Sequence, residues 1–214
     1  MNCRLTHLYY IVCLLTLFAV VSCSDDDDVA ASYRTDYADM TTDAEGNAVQ
    51  LLLDDGSVLN ILNAYATGRV SQNFRVYAAS EQMEAGVRLI NFSNVLTDVP
   101  HKFDEEKVKT DPVDLIAVWR GGRYVNFRLG LKTGASAKKH AFSVVDDGIT
   151  IDDDGKKSLH IRLYHSQNDD DMSYTRTAAF SCSLDNQKSV LNAGDRVEVK
   201  VNTFSGLKTI TLDF

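Results

Sequence analysis

Cysteine, proline and positive charge are all scarce in this chain, and each shortage closes off a class of protein. There are four cysteines in 214 residues. Cys3 and Cys13 lie in the apolar N-terminal run, and Cys23 stands where that run ends. That leaves Cys182 alone in the remainder, and a lone thiol cannot form an intramolecular disulfide, so the fold must rest on packing. There are two prolines, and no segment after the N-terminal run shows a convincing amphipathic helical period; residues 79–85 offer a turn or two of helix at most. Lysine and arginine total 22 against 30 aspartates and glutamates. Removing residues 1–22 takes away one base, Arg4, and no acid, so residues 23–214 carry 21 bases, 30 acids and a net charge of −9. Sequence-independent attraction to phosphate backbones or anionic membranes depends on clustered Lys and Arg, so no nucleic-acid role is expected.

Catalytic motifs are missing too. The chain has no HExxH, no Gly-x-Ser-x-Gly elbow and no glycine-rich phosphate loop. His160 and His165 are five apart on an expected strand and so point to opposite sides, which gives no zinc site, and His101 and His140 add no pattern. Cys182 shares a strand face with Phe180 and Leu184 and reads as an apolar filler rather than a nucleophile. Three acidic clusters, Asp146-Asp147, Asp152-Asp153-Asp154 and Asp169-Asp170-Asp171, would suit Ca²⁺ if their loops met. The EF-hand register fails, with Thr150 and Ile161 at its first and last positions, and solvated Asp-Gly turns are the simpler reading. No cofactor, metal or catalytic residue is assigned.

What is present begins with an address. Residues 9–21 form an apolar run shorter than the ~20 residues a spanning helix needs, and Val20-Val21-Ser22-Cys23 closes it as a lipoprotein processing site. Cleavage after Ser22 would leave Cys23 to take lipid, a membrane anchor contributing about 0.8 kcal/mol per buried CH₂. Ser24, Asp25, Asp26, Asp27 and Asp28 then open a self-repelling tether over residues 23–35, long enough at roughly 3.3–3.6 Å per residue to reach about 35 Å.

The rest reads as β-structure. Residues 50–53 and 58–62 flank Asp54-Asp55-Gly56-Ser57, where Asp55-Gly56 suits a two-residue type I′ hairpin. Residues 73–78 and 87–97 alternate as strands, and together these suit a small five-stranded barrel over residues 36–110. A polar stretch, residues 101–112, ends in Asp111-Pro112 and reads as a linker. From residue 111 to 214 the pattern restarts. Val125, Phe127, Leu129 and Leu131 share one face; residues 158–165, 196–202 and 207–214 alternate as well, as in an antiparallel two-sheet sandwich. Trp119 is grouped by alternation with Leu115 and Ala117 in the core, whereas Tyr124 and Tyr164 face away from it and stand as candidate ligand-stacking rings.

Cys23-Ser24 with its aspartate run, Leu53-Asp54-Asp55-Gly56-Ser57, Phe74-Arg75-Val76-Tyr77, Asn94-Val95-Leu96-Thr97, Arg123-Tyr124-Val125-Asn126-Phe127 and the terminal residues 201–212 occur in an order that resembles the NigD-like lipoproteins of Bacteroidota. The resemblance implies an all-β protein, an OB-like barrel followed by a β-sandwich. Serine and acids directly after the cysteine look like the signal that sends such lipoproteins to the outer face of the outer membrane. The expected role is a non-enzymatic binding or accessory module toward a glycan or an envelope protein. The alternative, from the family's association with bacteriocin operons, is an immunity lipoprotein.

Overall fold

The computed structural model describes residues 31–135 and 138–214. The processing site, Cys23 and the aspartates of the tether lie outside the described residues.

Alternation of apolar and polar side chains turns the first stretch into an antiparallel sheet: β1 (Tyr33–Thr42), β2 (Ala48–Leu53), β3 (Val58–Asn60), β4 (Asn73–Met83) and β5 (Gly86–Asn94), in spatial order β3-β2-β1-β4-β5. Ala38, Met40, Leu51, Val76, Ala78, Val87 and Leu89 fill its buried face. Just past β3 the chain meets β5, where Ile61 pairs in parallel with Val87 and the Leu62 N–H donates to the Val87 carbonyl at 2.9 Å. The Asn63 side chain completes the seam, accepting from the Leu89 N–H at 2.8 Å and donating to its carbonyl at 3.0 Å. The five strands thus curl in the OB-like order but remain an open sheet, sealed by one bridge and one side chain.

Gly86 permits this seam, since a Cβ there would lie 2.3 Å from the Asn60 carbonyl oxygen. Gly86→Ala is expected to push the seam apart at a cost of about 1–3 kcal/mol, the usual range for overpacking. Urea unfolding checks this, and an unchanged midpoint would show that the approach is not needed.

Two local expectations are corrected. The β2–β3 turn is not type I′: the Gly56 N–H donates to the Leu53 carbonyl at 3.0 Å, and only Gly56 (φ 87°) adopts positive φ. It is a three-residue loop with a left-handed glycine, the next most common hairpin connection after the two-residue turns. Residues 79–83 are not helical but continue β4, because β1 and β5 flank them on both sides.

After buried Val95 the chain changes partners. β6 (Leu96–Asp98), β7 (Pro100–His101), β8 (Asp114–Gly121), β9 (Tyr124–Thr133), β10 (Ala141–Ile151), β11 (Lys157–Ser166), β12 (Tyr174–Ser183), β13 (Arg196–Thr203) and β14 (Gly206–Asp213) form two sheets, β14-β13-β11-β10-β7 and β6-β12-β9-β8. Phe127, Phe180, Leu129, Leu159, Ile161 and Val199 lie in the core between them. Three pairs, β7–β10, β11–β13 and β6–β12, run parallel within this otherwise antiparallel sandwich.

The partition expected between residues 110 and 111 falls inside hydrogen-bonded structure. Residues 96–101 already pair within the sandwich sheets. The stretch expected as a linker is pinned there: the His165 N–H donates to the Lys109 carbonyl at 2.9 Å, and Asn202 Nδ2 to the Thr110 carbonyl at 2.7 Å. Arg162 on β11 grips Glu105 at 2.7 and 2.8 Å and Asp147 at 2.8 Å, side chain to side chain. Its pKa is raised by those hydrogen bonds, to Glu105 and then to Asp147. Polarity alone does not distinguish such a tied segment from a free one.

Trp119 is also placed differently from its expected core position. The β8–β9 register shifts between Leu115 and Ala117, leaving Ile116 as the extra residue. Leu115 and Val118 pack on the core, and Trp119 turns outward to meet Tyr37 edge-on at 5.0 Å. A bulge of one residue inverts every face beyond it.

Candidate functional site

The N-terminal sheet and the sandwich are joined by a buried polar cluster. Arg75 on β4 has a side chain 1 % exposed; its Nη2 lies 2.6 Å from Asp54 and donates to Asn126 Oδ1 at 3.0 Å, and its Nη1 is 3.8 Å from Asp39. The guanidinium sits 4.0 Å above the Tyr124 ring. Tyr124 donates its hydroxyl to Asp39 at 3.0 Å, Arg123 donates to Asp39 at 2.8 Å, and Asn126 Oδ1 also accepts from Ser181 at 2.7 Å. Tyr124 therefore faces away from the sandwich core, as alternation requires, yet is 5 % exposed because the N-terminal sheet covers it. It is not a ligand-stacking ring. Burial, and then the Asp39 carboxylate, raise its pKa to about 12. A phenol whose folded pKa lies above its unfolded value of about 10 stabilises the fold fully below pH 10, and that contribution is lost as pH rises toward 12. Tyr124→Phe is expected to remove this part of the alkaline stability loss, read as unfolding free energy between about pH 9 and 12.

Tyr164 lies on the outer face of the other sheet, so the two candidate tyrosines do not converge. One side of it is stacked on Phe103 at 5.4 Å and 15°.

A groove opens where the end of β5 passes the sandwich. It holds about 440 Å³ between Tyr37, Tyr77, Ser93, Asn94, Leu96, Arg128 and residues 176–179, and runs past His140 and Phe142. A recess of about 280 Å³ continues it toward Leu131, Thr133, Lys138 and Lys139. Among the described residues the lining contains Arg128, Arg176, Lys138, Lys139 and His140 and no aspartate or glutamate, in a protein whose acids outnumber its bases. Among the described residues neither Arg128 nor Arg176 makes an ion pair within 4.0 Å. Tyr37 and Tyr77 meet at 5.1 Å on the outward face of β1 and β4.

Behind the recess lies a histidine pair. His165 is buried, with Nδ1 2.8 Å from the Asp111 carbonyl and Nε2 2.8 Å from His140 Nδ1. A carbonyl can only accept, so His165 carries its proton on Nδ1; its bare Nε2 then accepts from the His140 Nδ1–H. His140 Nε2 faces the Asp170 carboxylate at 3.5 Å. Burial, and then the neighbouring His140, lower the pKa of His165. The Thr133 hydroxyl, donating to Asp170 at 2.5 Å, together with nearby backbone N–H groups, lowers the Asp170 pKa to about 2.

The remaining candidates are dispersed. The turn at residues 152–155 and the loop at 168–171 lie at opposite ends of β11, about 30 Å apart for ten residues of strand. Asp152 accepts from the N–H groups of Asp154 and Lys156, and Asp146 from that of Gly148. Among the described residues no group of three or more His, Cys, Asp or Glu is placed to hold a metal ion. Cys182 is fully buried, and burial raises its thiol pKa. The groove went unseen because its cations come from β9, β12 and the 138–140 segment. The local signals that sequence offers for it are the parity of Arg128, opposite to Phe127 and Leu129, and the Lys138-Lys139-His140 run.

An open OB-like sheet docked on a mixed β-sandwich, with a cationic groove at their junction, describes a two-part β-protein. The family model described as the NigD-like C-terminal beta sandwich domain matches residues 94–214, more than half of the chain, and the protein belongs to that family. The start of that match coincides with the change of strand partners at Val95.

Among solved structures, a NigD-like immunity protein from Bacteroides caccae aligns with a TM-score of 0.66 and 24% identity, over 83% of this chain and 90% of its own. A protein designated toxin-related from Parabacteroides distasonis aligns with a TM-score of 0.68 and 18% identity, over 86% and 93%. One designated a lipoprotein from Bacteroides fragilis aligns with a TM-score of 0.60 and 12% identity, over 85% and 98%. At these identities the likeness is one of fold. No curated protein matches the chain. Among the described residues no helix is long and apolar enough to cross a membrane.

Proposed function

We propose that this protein is a lipoprotein held in the outer membrane through Cys23, facing the exterior, and that it serves as a non-enzymatic binding or accessory module for a glycan or an envelope protein. The observation that carries the binding role is the groove: unpaired arginines and aromatic rings with no carboxylate, in an acidic protein. Such a lining favours a bound anion over a bound cation. The anchor rests on the Val20-Val21-Ser22-Cys23 site and the acids after Ser24, and is in keeping with the lipoprotein designation of the Bacteroides fragilis relative.

Labelled palmitate is expected to enter the wild type and not Cys23→Ala, which should leave the membrane fraction. For the groove, residues 23–214 are expected to retain a ligand from glycan arrays or envelope extracts, and Arg128→Ala with Arg176→Ala to release it. Retention of nothing, or retention unaffected by the double variant, overturns the groove as the ligand face.

A second reading, immunity to a bacteriocin, is favoured by one observation, the designation of the Bacteroides caccae relative as an immunity protein. Deleting the gene should then sensitise the cell to a bacteriocin produced by its own strain, and unchanged sensitivity counts against it.

A further inference from the structure

One side of β12 is left largely without a partner. β9 pairs with it from Tyr174 to Ser183, but on the opposite side β6 covers only Phe180, Ser181 and Cys182. Among the described residues, 174–179 have no strand on that side. The space that a backward extension of β6 from Leu96 would fill is the groove: Arg176, Thr177, Ala178 and Ala179 form one of its walls. Backbone N–H and C=O groups alternate between the two sides of a strand, so about half of those on residues 174–179 point into it. An edge of this kind is a template for another strand, and it spans about 20 Å. Extended peptides use such edges: main-chain hydrogen bonds supply affinity, and alternate side chains supply selectivity.

The walls indicate the chemistry of the occupant. Arg176 lies on the edge strand, Arg128 on β9 behind it, and Lys138, Lys139 and His140 across the recess, with no carboxylate among the lining residues. Asp170 is turned to Thr133 and His140 at the back. A basic segment would meet like charge, whereas acids on the face turned to the recess would meet Arg176, Lys138 and Lys139, and an acid on the opposite face would meet Arg128. Resting on the binding-module reading, we infer that the groove takes an extended acidic peptide segment, added as a strand beside residues 174–179 of β12 in line with β6. Tyr37 and Tyr77 flank its outer end.

The test uses residues 23–214 and arrayed octapeptides carrying Asp or Glu at alternate positions, matched peptides carrying Lys, and N-methylated copies of any binder. Acidic peptides are expected to be captured and lysine peptides ignored. Binding should weaken at least about tenfold in Arg176→Glu and in about 0.5 M salt. The amides of residues 174–179 should slow in hydrogen exchange, and N-methylation, which removes edge donors, should abolish binding. Failure to capture acidic peptides, capture without slowed exchange at residues 174–179, or N-methylated copies binding equally well would each overturn the inference. Tetragalacturonate bound in their place would overturn the strand while leaving the binding module standing. Absence of any retained envelope ligand or glycan would remove the module as well.

Discussion

Arg75→Ala is expected to lower the unfolding free energy by about 3–5 kcal/mol, the cost of breaking a buried ion pair from one side. The size reflects the groups that stay behind. Asp39 has a side chain 5 % exposed and Asp54 one 20 % exposed, and both now lean on the Arg75 guanidinium. Without it, Asn126 loses a donor and the Tyr124 ring its cation at 4.0 Å. Arg123 still holds Asp39, which keeps the loss toward the lower end of the range. The discriminating measurement is a cycle with Asp54→Asn. If Arg75 acts as the counter-charge of Asp54, the double variant should be less destabilised than the sum of the singles, through coupling of about 0.5–3 kcal/mol. Additive losses would mean that Arg75 acts by packing alone. Arg75→Lys should not restore the wild type, because an ammonium cannot reach Asp54, Asn126 and the ring face together.

Phe180→Ala should cost a similar 3–5 kcal/mol for a different reason, a cavity in the sandwich core. Phe180 is 1 % exposed and packs against Phe127 at 5.6 Å and Phe142 at 5.9 Å. Phe142 in turn stacks on His165 at 4.9 Å. The cavity would thus open behind the histidine pair, and denaturant unfolding should show the loss together with a disturbed His165 environment by NMR. Phe180→Leu keeps most of the volume and should recover the larger part. Leu207→Ala, at a position 65 % exposed, is the control and should change stability by no more than about 0.5 kcal/mol. A loss in Phe180→Ala as small as the control's would show that the sandwich core collapses around the gap.

Much of this architecture was readable from residue order. Strict alternation along residues 124–131 and 196–202 predicted strands with one buried face, and Phe127, Leu129, Val197 and Val199 are buried as alternation requires. Reading failed where a local irregularity resets the pattern. One extra residue at Ile116 moved Trp119 to the outer face. It failed again where burial is delivered from a distance: Tyr124 pointed the expected way, but Asp39 and Arg75, far off in sequence, cover it. His140 and His165 are 25 residues apart and meet only because the β10–β11 pairing brings the start of one strand beside the end of the other.

From sequence alone, local chemistry determined the class of fold and supplied an expectation of the address. Apolar period, turn residues and a small residue before Cys23 act over a few positions, and their physics needs no partner far along the chain. The groove was decided only in three dimensions. Its cations are contributed by β9, β12 and the segment before β10, and its unpaired edge exists because β6 begins only at Leu96, opposite Phe180. Which strand ends beside which, and how far a neighbour reaches, depends on the packing of two sheets, and no single stretch of sequence carries it.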